Sequence, residues 1–355
     1  MLFAAFFSSG ELAGGLARIQ MCWPAAQKVT SKMHTHAGAA ETCSKTGTPG
    51  RARAFLSILS YFLRKVVFSP ARLLRVLTRM ASNLSMQFRV FQLLRSGVYA
   101  RFVCANPAFL FKYLSPKYLI RDLPVNTRTT CFLRHYLWLH SAMPHTLLRR
   151  ILVDDVNLFE LHQDEHLFAV ALGRSREVAD TRHIDHEGEM SIHLLVDKVH
   201  AYVLSFTIVP GWVARSNAAN VLMITRVQGS LGVFPKIAMA ARAMHGIPPE
   251  MLLITALQGV GQALGVSTMA GVSAARHLCY DQHDDAIFRK CYDDFFARIG
   301  AVRNAADFYL APFPLPEKPL SEVKRGQKTR SRARRAFKLQ VAAAAFQALR
   351  IPATE

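Results

Sequence analysis

Acidic residues and cysteines are scarce in this chain of 355 residues. The 24 Asp and Glu face 44 Lys and Arg, so the formal net charge is +20 at pH 7. The six cysteines form no CxxC pair, which argues against a disulfide framework and the usual zinc spacings. No run reaches the roughly 18 consecutive apolar residues that a membrane-spanning helix needs. We therefore expect a cytoplasmic protein that attracts polyanions.

Apolar residues, in contrast, are plentiful, and the positive charge is unevenly spread. Hydrophobic residues make up 51% of the chain, enough to bury a substantial core and to exclude disorder throughout. Residues 1–121 contain 17 Lys and Arg but only Glu11 and Glu41. Residues 122–321 are nearly neutral, whereas residues 322–340 contain eight basic residues and Glu322. Two basic segments thus flank an ordinary globular core.

Composition divides the chain into four segments. Residues 1–50 are rich in Ala, Gly, Ser and Thr without apolar periodicity, which predicts a disordered segment or an upstream extension created by the choice of start codon. Residues 51–121 form a basic helical segment, residues 122–321 the core domain, and residues 322–355 a basic C-terminal tail.

The apolar pattern of the core predicts an α+β fold. We expect helices before residue 140, a meander of antiparallel strands, and then a strand–helix–helix–strand unit. The predicted helices cover residues 86–99, 107–113, 130–139, 235–244, 249–264 and 287–299, and the predicted strands cover 153–161, 167–172, 190–196, 202–209, 221–227 and 267–272.

Two basic segments suggest partners. Residues 53–80 read as basic amphipathic helices broken at Ser69-Pro70, and the second helix could lie on an anionic membrane surface at the inner face of the membrane. The alternative is a surface helix packed on the domain with solvated arginines. Residues 324–338 could bind nucleic acid or another polyanion without reading its sequence, or could form a solvated helix that closes the domain. No protein partner can be named.

Three motifs resemble known functional sites, but each lacks a residue or a position that the chemistry of that site requires. Gly259, Gly261 and Gly265 lie inside a predicted helix rather than at a strand-to-helix turn, so close helix packing explains them better than a dinucleotide. Ser273 lacks the second glycine of a nucleophile elbow. The histidines at 183, 186, 193 and 200 lack metal-site spacing, because His183 and His186 lie in a predicted loop and strand alternation puts His193 on the face of Glu189, which predicts a solvated hairpin rather than an ion site. We predict no metal site.

An ordered set of short motifs resembles the bacterial VirK/YbjX family over about residues 60–340. The motifs are Arg134-His135-Tyr136, Glu187-Gly188-Glu189, Tyr202 to Phe206, Gln228-Gly229, His245-Gly246, Gly271-Val272-Ser273, His277, Tyr292-Asp293 and Glu322 to Lys324. The resemblance implies an accessory protein linked to virulence, to envelope resistance against cationic peptides, and to stress or DNA-damage responses. No catalytic residues come with it.

The second half of the core is also similar to acyltransferases of the GNAT type. In these enzymes a strand ends in a glycine-containing loop, which presents backbone N–H groups and a helix N-terminus to the pyrophosphate of coenzyme A. Here Gln228, Gly229 and Gly232 would form that loop and bind acyl-CoA. Glu187 or Glu189 would deprotonate an amine, and Tyr292 would act as an acid. An accessory protein, an acyltransferase and a nonspecific nucleic-acid-binding protein therefore remain alternative functions.

Overall fold

The computed structural model describes residues 84–95, 97–175 and 186–350, together with positions 74, 78 and 81. The predicted disorder of residues 1–50 lies outside these residues, as does most of the predicted membrane helix. No helix among the described residues combines the length and apolarity that crossing a bilayer requires.

Helices precede and follow one mainly antiparallel sheet, as the α+β prediction requires. The first group comprises α1 (Leu84–Leu94), α2 (Ala100–Ala105), a 3-10 helix (Pro107–Leu114), α3 (Val125–Ala142) and α4 (His145–Val153). The later group comprises α5 (Phe234–Ala243), α6 (Pro249–Ala263), α7 (Asp285–Cys291), α8 (Asp293–Arg298) and α9 (Lys328–Arg350).

The sheet has eight strands in the order β1-β2-β3-β4-β5-β6-β8-β7. They are β1 (Val156–Gln163), β2 (His166–Arg174), β3 (Met190–Val196), β4 (Val199–Pro210), β5 (Asn220–Gly229), β6 (Thr268–Val272), β7 (Val302–Arg303) and β8 (Phe308–Pro312). Strands β5 and β6 pair in parallel, and the other neighbours are antiparallel. The strand–helix–helix–strand unit supplies this parallel pair, since α5 and α6 connect β5 to β6.

Both faces of the central strands are covered. Consecutive residues of a strand point to opposite faces, yet β3 and β4 are buried at nearly every position. Helices α3 and α4 pack on β4 and β2, while α5, α6 and α9 pack on β1, β3, β4 and β5. Buried residues from α1 through α9 belong to one hydrophobic cluster, so the described parts of both basic segments pack with the core.

The glycines of α6 serve helix packing, as the sequence predicted. A Cβ on Gly259 would lie 2.1 Å from the carbonyl oxygen of Ala342 in α9, so only a glycine allows this approach. Helix α6 ends where Gly265 adopts a φ of +67°.

Several elements differ from the sequence prediction. The strand predicted from Val153 is wrong at its start, because Val153 ends the unpredicted helix α4 and β1 begins at Val156. The single helix predicted over residues 287–299 is divided at Tyr292 into α7 and α8. Helix α2 and strands β7 and β8 were not predicted.

Candidate functional site

The pairing of the parallel strands β5 and β6 ends before the carboxyl end of β5. They pair from Leu222↔Met269 to Ile224↔Gly271, after which β5 continues to Gly229 with β4 as its partner. Strand β6 ends at Val272, and the chain turns into the 3-10 helix Ala274–Arg276. In open sheets with parallel strands, ligands bind in the crevice outside the carboxyl ends at such a point.

Glu187 occupies the centre of a polar cluster beside the end of this pairing. One carboxylate oxygen, Oε2, lies 3.3 Å from Nη1 of Arg226 on β5. The other, Oε1, lies 3.6 Å from Nε2 of His277 and 3.4 Å from Sγ of Cys279, both in the segment after β6. Glu187 is 6% exposed, so these contacts act in a medium of low polarity. The arrangement places a guanidinium, an imidazole and a thiol around one carboxylate.

His277 connects Glu187 to Tyr292. Its Nδ1 accepts a hydrogen bond from the backbone N–H of Cys279, at 3.2 Å, which assigns the proton of the neutral ring to Nε2. That Nε2 lies 2.8 Å from the hydroxyl oxygen of Tyr292, a residue at the junction of α7 and α8. Burial, and then the charge of Glu187, raise the pKa of Tyr292 well above its usual value. The phenol therefore keeps its proton at neutral pH.

A row of buried serines holds Arg226. The guanidinium Nε donates to Oγ of Ser205 on β4 at 3.0 Å. Ser205 lies 2.8 Å from the hydroxyl of Ser191 on β3, which lies 2.8 Å from that of Ser175 at the end of β2. Because these groups are held by neighbouring strands, the charge facing Glu187 has a fixed position.

Glu189, the second predicted base, lies in a different environment. It is fully buried, and its carboxylate accepts hydrogen bonds from Tyr118 at 2.7 Å and Tyr136 at 2.5 Å. Nζ of Lys112 lies 3.3 Å from Oε1 and also donates to the carbonyl of Gly188. These contacts join the 3-10 helix, through Lys112, and helix α3, through Tyr136, to the residue that precedes β3. The geometry thus favours Glu187 over Glu189 for proton transfer with Tyr292.

The predicted loop leads from β5 directly into α5. Gln228 and Gly229 end β5, opposite Val203 and Tyr202 of β4. A Cβ on Gly229 would lie 3.1 Å from Cδ1 of Ile237. Gly232 has a φ of +76°, which side chains rarely adopt, and a Cβ there would point into open space. The loop begins two residues after Arg226, so the predicted loop and cluster share one strand end.

Three members of the polar cluster also form a group of ligand types that zinc accepts. The ligand atoms of Glu187, His277 and Cys279 lie within 4.8 Å of one another, and carboxylate, imidazole and thiolate are its usual donors. The proton assigned to Nε2 of His277 opposes coordination through that atom, and Arg226 already balances the carboxylate. The observed contacts thus suit proton transfer better than metal binding.

Sequence reasoning missed Arg226, His277 and Cys279 as site residues. His277 was named only among the motifs of the family resemblance, and no motif spacing contains Cys279. One signal could have found them: Arg226 and His277 both lie near the carboxyl ends of the two strands that flank the connecting helices. Their convergence on Glu187 depends on the parallel pairing of β5 and β6.

Comparison with protein families gives one match. Residues 69–346 match the family described as protein of unknown function (DUF535). The chain belongs to the DUF535 family. Comparisons with curated proteins and with solved structures gave no significant match. Membership of DUF535 therefore assigns no activity to this chain, and its function is inferred from the geometry of the site.

The basic tail of the DUF535 chain packs on the domain. Arg334 donates to the carbonyls of His245 and Gly246, at 2.9 and 2.8 Å, while Arg335 and Lys338 form ion pairs with Glu317. Arg332 is exposed. Helix α9 closes the domain, which is one of the two alternatives that the sequence offered for residues 324–338. The other basic segment, residues 53–80, lies outside the described residues except for Leu74 and Thr78.

Proposed function

We propose that this protein transfers an acyl group from coenzyme A to an amine. The observation that carries the proposal is the end of the β5–β6 pairing beside the contacts that link Glu187, His277 and Tyr292. Ligands of open sheets bind outside the carboxyl ends of parallel strands, and the three side chains offer an acid and a base beside that position.

The end of the pairing between β5 and β6 supports binding of the cofactor. Beyond Ile224, β5 continues as far as Gly229 with β4 as its ladder partner, and an extended chain that contains amides, as the pantetheine arm does, would approach the sheet there. The pyrophosphate would then approach the loop of Gln228, Gly229 and Gly232 and the N-terminus of α5. Backbone N–H groups at a helix N-terminus favour such an anion.

The side chains support a balanced reaction. Glu187 accepts a proton from the amine, whose lone pair attacks the thioester carbonyl carbon. The tetrahedral intermediate collapses with cleavage of the carbon–sulfur bond, and the leaving thiolate takes the proton of Tyr292. The bond from His277 to Tyr292 gives a route by which the phenol recovers a proton. Arg226 lies 3.3 Å from Oε2 of Glu187 and balances the charge of the carboxylate that accepts the proton.

Thermal stabilisation by acyl-CoA tests the proposal. Acetyl-CoA at a hundred times its Kd should stabilise the protein by about 2.7 kcal/mol, and Gly232→Ala and the double change Gly229→Val with Gly232→Val should weaken or abolish this gain. Gly326→Val is the matched control, because a Cβ at Gly326 meets no atom within 4 Å and the site is distant in sequence. No stabilisation of the unchanged protein by millimolar acyl-CoA would reject the proposal.

We also infer that this member of DUF535 is of the VirK/YbjX kind, an accessory protein that acts in virulence, envelope resistance or stress and DNA-damage responses. Family membership and the ordered motifs support this inference. Deleting the gene should sensitise the bacterium to a cationic peptide, and the unchanged gene should restore resistance. If resistance depends on acyl transfer, Glu187→Gln should fail to restore it at equal protein abundance.

Two further partner proposals follow from charge. If residues 53–80 bind an anionic membrane, replacing Arg72, Arg75 and Arg79 by Gln should lower affinity for anionic vesicles by on the order of 1 kcal/mol per residue. If residues 324–338 bind nucleic acid, binding should be indifferent to sequence and steeply salt-dependent. Neutralising exposed Arg332 should then flatten the salt slope by about one unit. Unchanged vesicle binding, or sequence preference at high salt, would contradict the respective proposal.

A further inference from the structure

A cleft of about 630 Å³ lies between α6, α9 and the proline-rich segment 314–318. Five basic side chains but a single carboxylate, Glu317, line it. The basic residues are Arg298, Lys318, Arg334, Arg335 and Lys338. None of the lining residues belongs to the cluster around Glu187 or to the loop 228–232. The cleft is therefore a second candidate site with a strong excess of positive charge.

Apolar side chains form much of the remaining wall. Ile247 and Met251 contribute from the start of α6, Leu315 from the proline-rich segment and Leu339 from α9. The volume lies within the roughly 300–1,000 Å³ of small-molecule sites, which are usually apolar with a few polar groups that fix orientation. A ligand that is entirely ionic would leave these apolar walls without a partner.

The charge arrangement on α9 favours an anion in the cleft. The side chains that α9 contributes to the cleft include Arg334, Arg335 and Lys338, and none of them is acidic. Arg334 is half-buried, and burial followed by the neighbouring charge of Arg330 lowers the pKa of its guanidinium. Repulsion among cations is relieved when an anion binds between or beside them.

Two of the cations remain accessible to a ligand. Arg335 and Lys338 both contact Glu317, which fixes the proline-rich segment to α9. The side chains of Arg298 and Lys318, by contrast, are 62% and 65% exposed, with their carboxylate partners at 3.4 and 3.7 Å. Such exposed pairs contribute little to stability, so a stronger anion can replace the carboxylates.

We propose that this cleft binds an anionic amphiphile, that is, a phosphate or carboxylate group joined to an apolar chain. Lys318 and Arg298 receive the anionic group, and the chain lies against Met251 and Leu315. The cleft is thus a ligand site separate from the proposed acyl-transfer site, and the two proposals can fail independently.

Calorimetric titration of the full chain with dodecyl phosphate, below its micelle concentration, tests the proposal. We expect one molecule per chain, and at least about tenfold weaker binding in the double variant Arg298→Glu with Lys318→Glu, because charge-assisted contacts contribute roughly that much each. The double variant Arg325→Glu with Arg332→Glu is the matched control: it makes the same charge change at two exposed side chains outside the cleft. Equal losses of affinity in both variants would mean that only the overall positive charge attracts the probe, and this result would overturn the proposal.

The apolar part of the site needs its own comparison. Leu315→Asn should weaken binding of dodecyl phosphate, whereas Leu231→Asn, a change at a side chain 66% exposed elsewhere, should not. Inorganic phosphate should bind far more weakly than dodecyl phosphate, and equal binding of the two would overturn the proposal. Gly232→Ala should leave the titration unchanged, which separates this site from acyl-CoA binding.

Vesicles identify the source of the amphiphile. Sedimentation with phosphatidylglycerol vesicles that depends on Lys318 assigns the site to a membrane lipid. Binding of the monomeric probe without vesicle binding assigns it to a soluble ligand. Binding of neither probe nor vesicles at millimolar concentration overturns the proposal.

Discussion

Glu187 and Glu189 are two residues apart, yet the fold gives them opposite surroundings. Glu187 faces Arg226, His277 and Cys279 beside the end of the β5–β6 pairing and retains slight exposure. Glu189 is fully enclosed, with two phenols and an ammonium group on its carboxylate. We propose proton exchange with a ligand only for the first arrangement, whereas the second holds helices on the sheet. The contacts of each carboxylate, rather than its position in the sequence, distinguish the proposed reactive group from the structural one.

The largest expected effect concerns the acid stability of the Glu189 region. His135, buried near Lys112, has its pKa lowered to about 3 by burial and then by that charge. A folded pKa below the unfolded value means that this stability is complete above about pH 6.5 and is lost as the pH falls toward 3. The loss over this range is on the order of 4–5 kcal/mol.

The matched variant is His135→Asn, which can keep an acceptor for the backbone N–H of Ile208. Urea unfolding of both proteins from pH 7 to pH 4 should show a smaller loss in the variant, since asparagine does not titrate. Parallel pH curves for the two proteins would contradict the assignment of acid sensitivity to His135.

Removing the structural carboxylate should come next in magnitude. Glu189→Ala leaves Lys112 buried without its charge partner, and we expect a loss of about 3–5 kcal/mol in the free energy of unfolding. Glu187→Ala should cost less, about 1–3 kcal/mol, because Arg226 keeps its hydrogen bond to Ser205 and because Glu187 is 6% exposed whereas Glu189 is 0% exposed. Denaturant titration measures both. Equal losses would break the distinction between the two glutamates.

The role proposed for the cluster around Glu187 is tested by a substitution at Tyr292. Tyr292→Phe removes one hydroxyl from the His277 contact and should lower the rate of acyl transfer by about 10²-fold or more, if the phenol acts as the acid. The fold should lose only about 1–2 kcal/mol. Tyr136→Phe, which removes a buried hydroxyl from Glu189 instead, is the control. We expect it to change stability by a similar amount while the rate stays close to that of the unchanged protein.

The smallest effect is expected at Cys279. Cys279→Ser keeps a donor near Oε1 of Glu187, so transfer rates should change by less than about tenfold and stability by about 1 kcal/mol. Cys291→Ser provides the comparison, as a half-buried cysteine outside the cluster. A loss at Cys279 as large as that at Tyr292 would point to a direct role of the thiol, such as metal coordination.

Local patterns were sufficient for most elements but not for those defined by packing. The strand 190–196 was predicted with the bounds it has, and α6 within one residue, because alternation, Pro249 and Gly265 mark them locally. The break at Tyr292 was missed, since its apolar neighbours continue a helical period. Strand β8 was missed because it forms by pairing with β6, far away in the chain.

The sequence by itself determined the fold class, the basic flanks, the glycine loop after β5 and the candidate residues Glu187 and Tyr292. These follow from local periodicity, charge and spacing, which need no knowledge of distant contacts. The tertiary structure decided which glutamate lies with Tyr292 and brought Arg226, His277 and Cys279 to it. The physical reason is the parallel pairing of β5 with β6 across two helices, which joins residues about fifty positions apart and cannot be read from any short stretch of the chain.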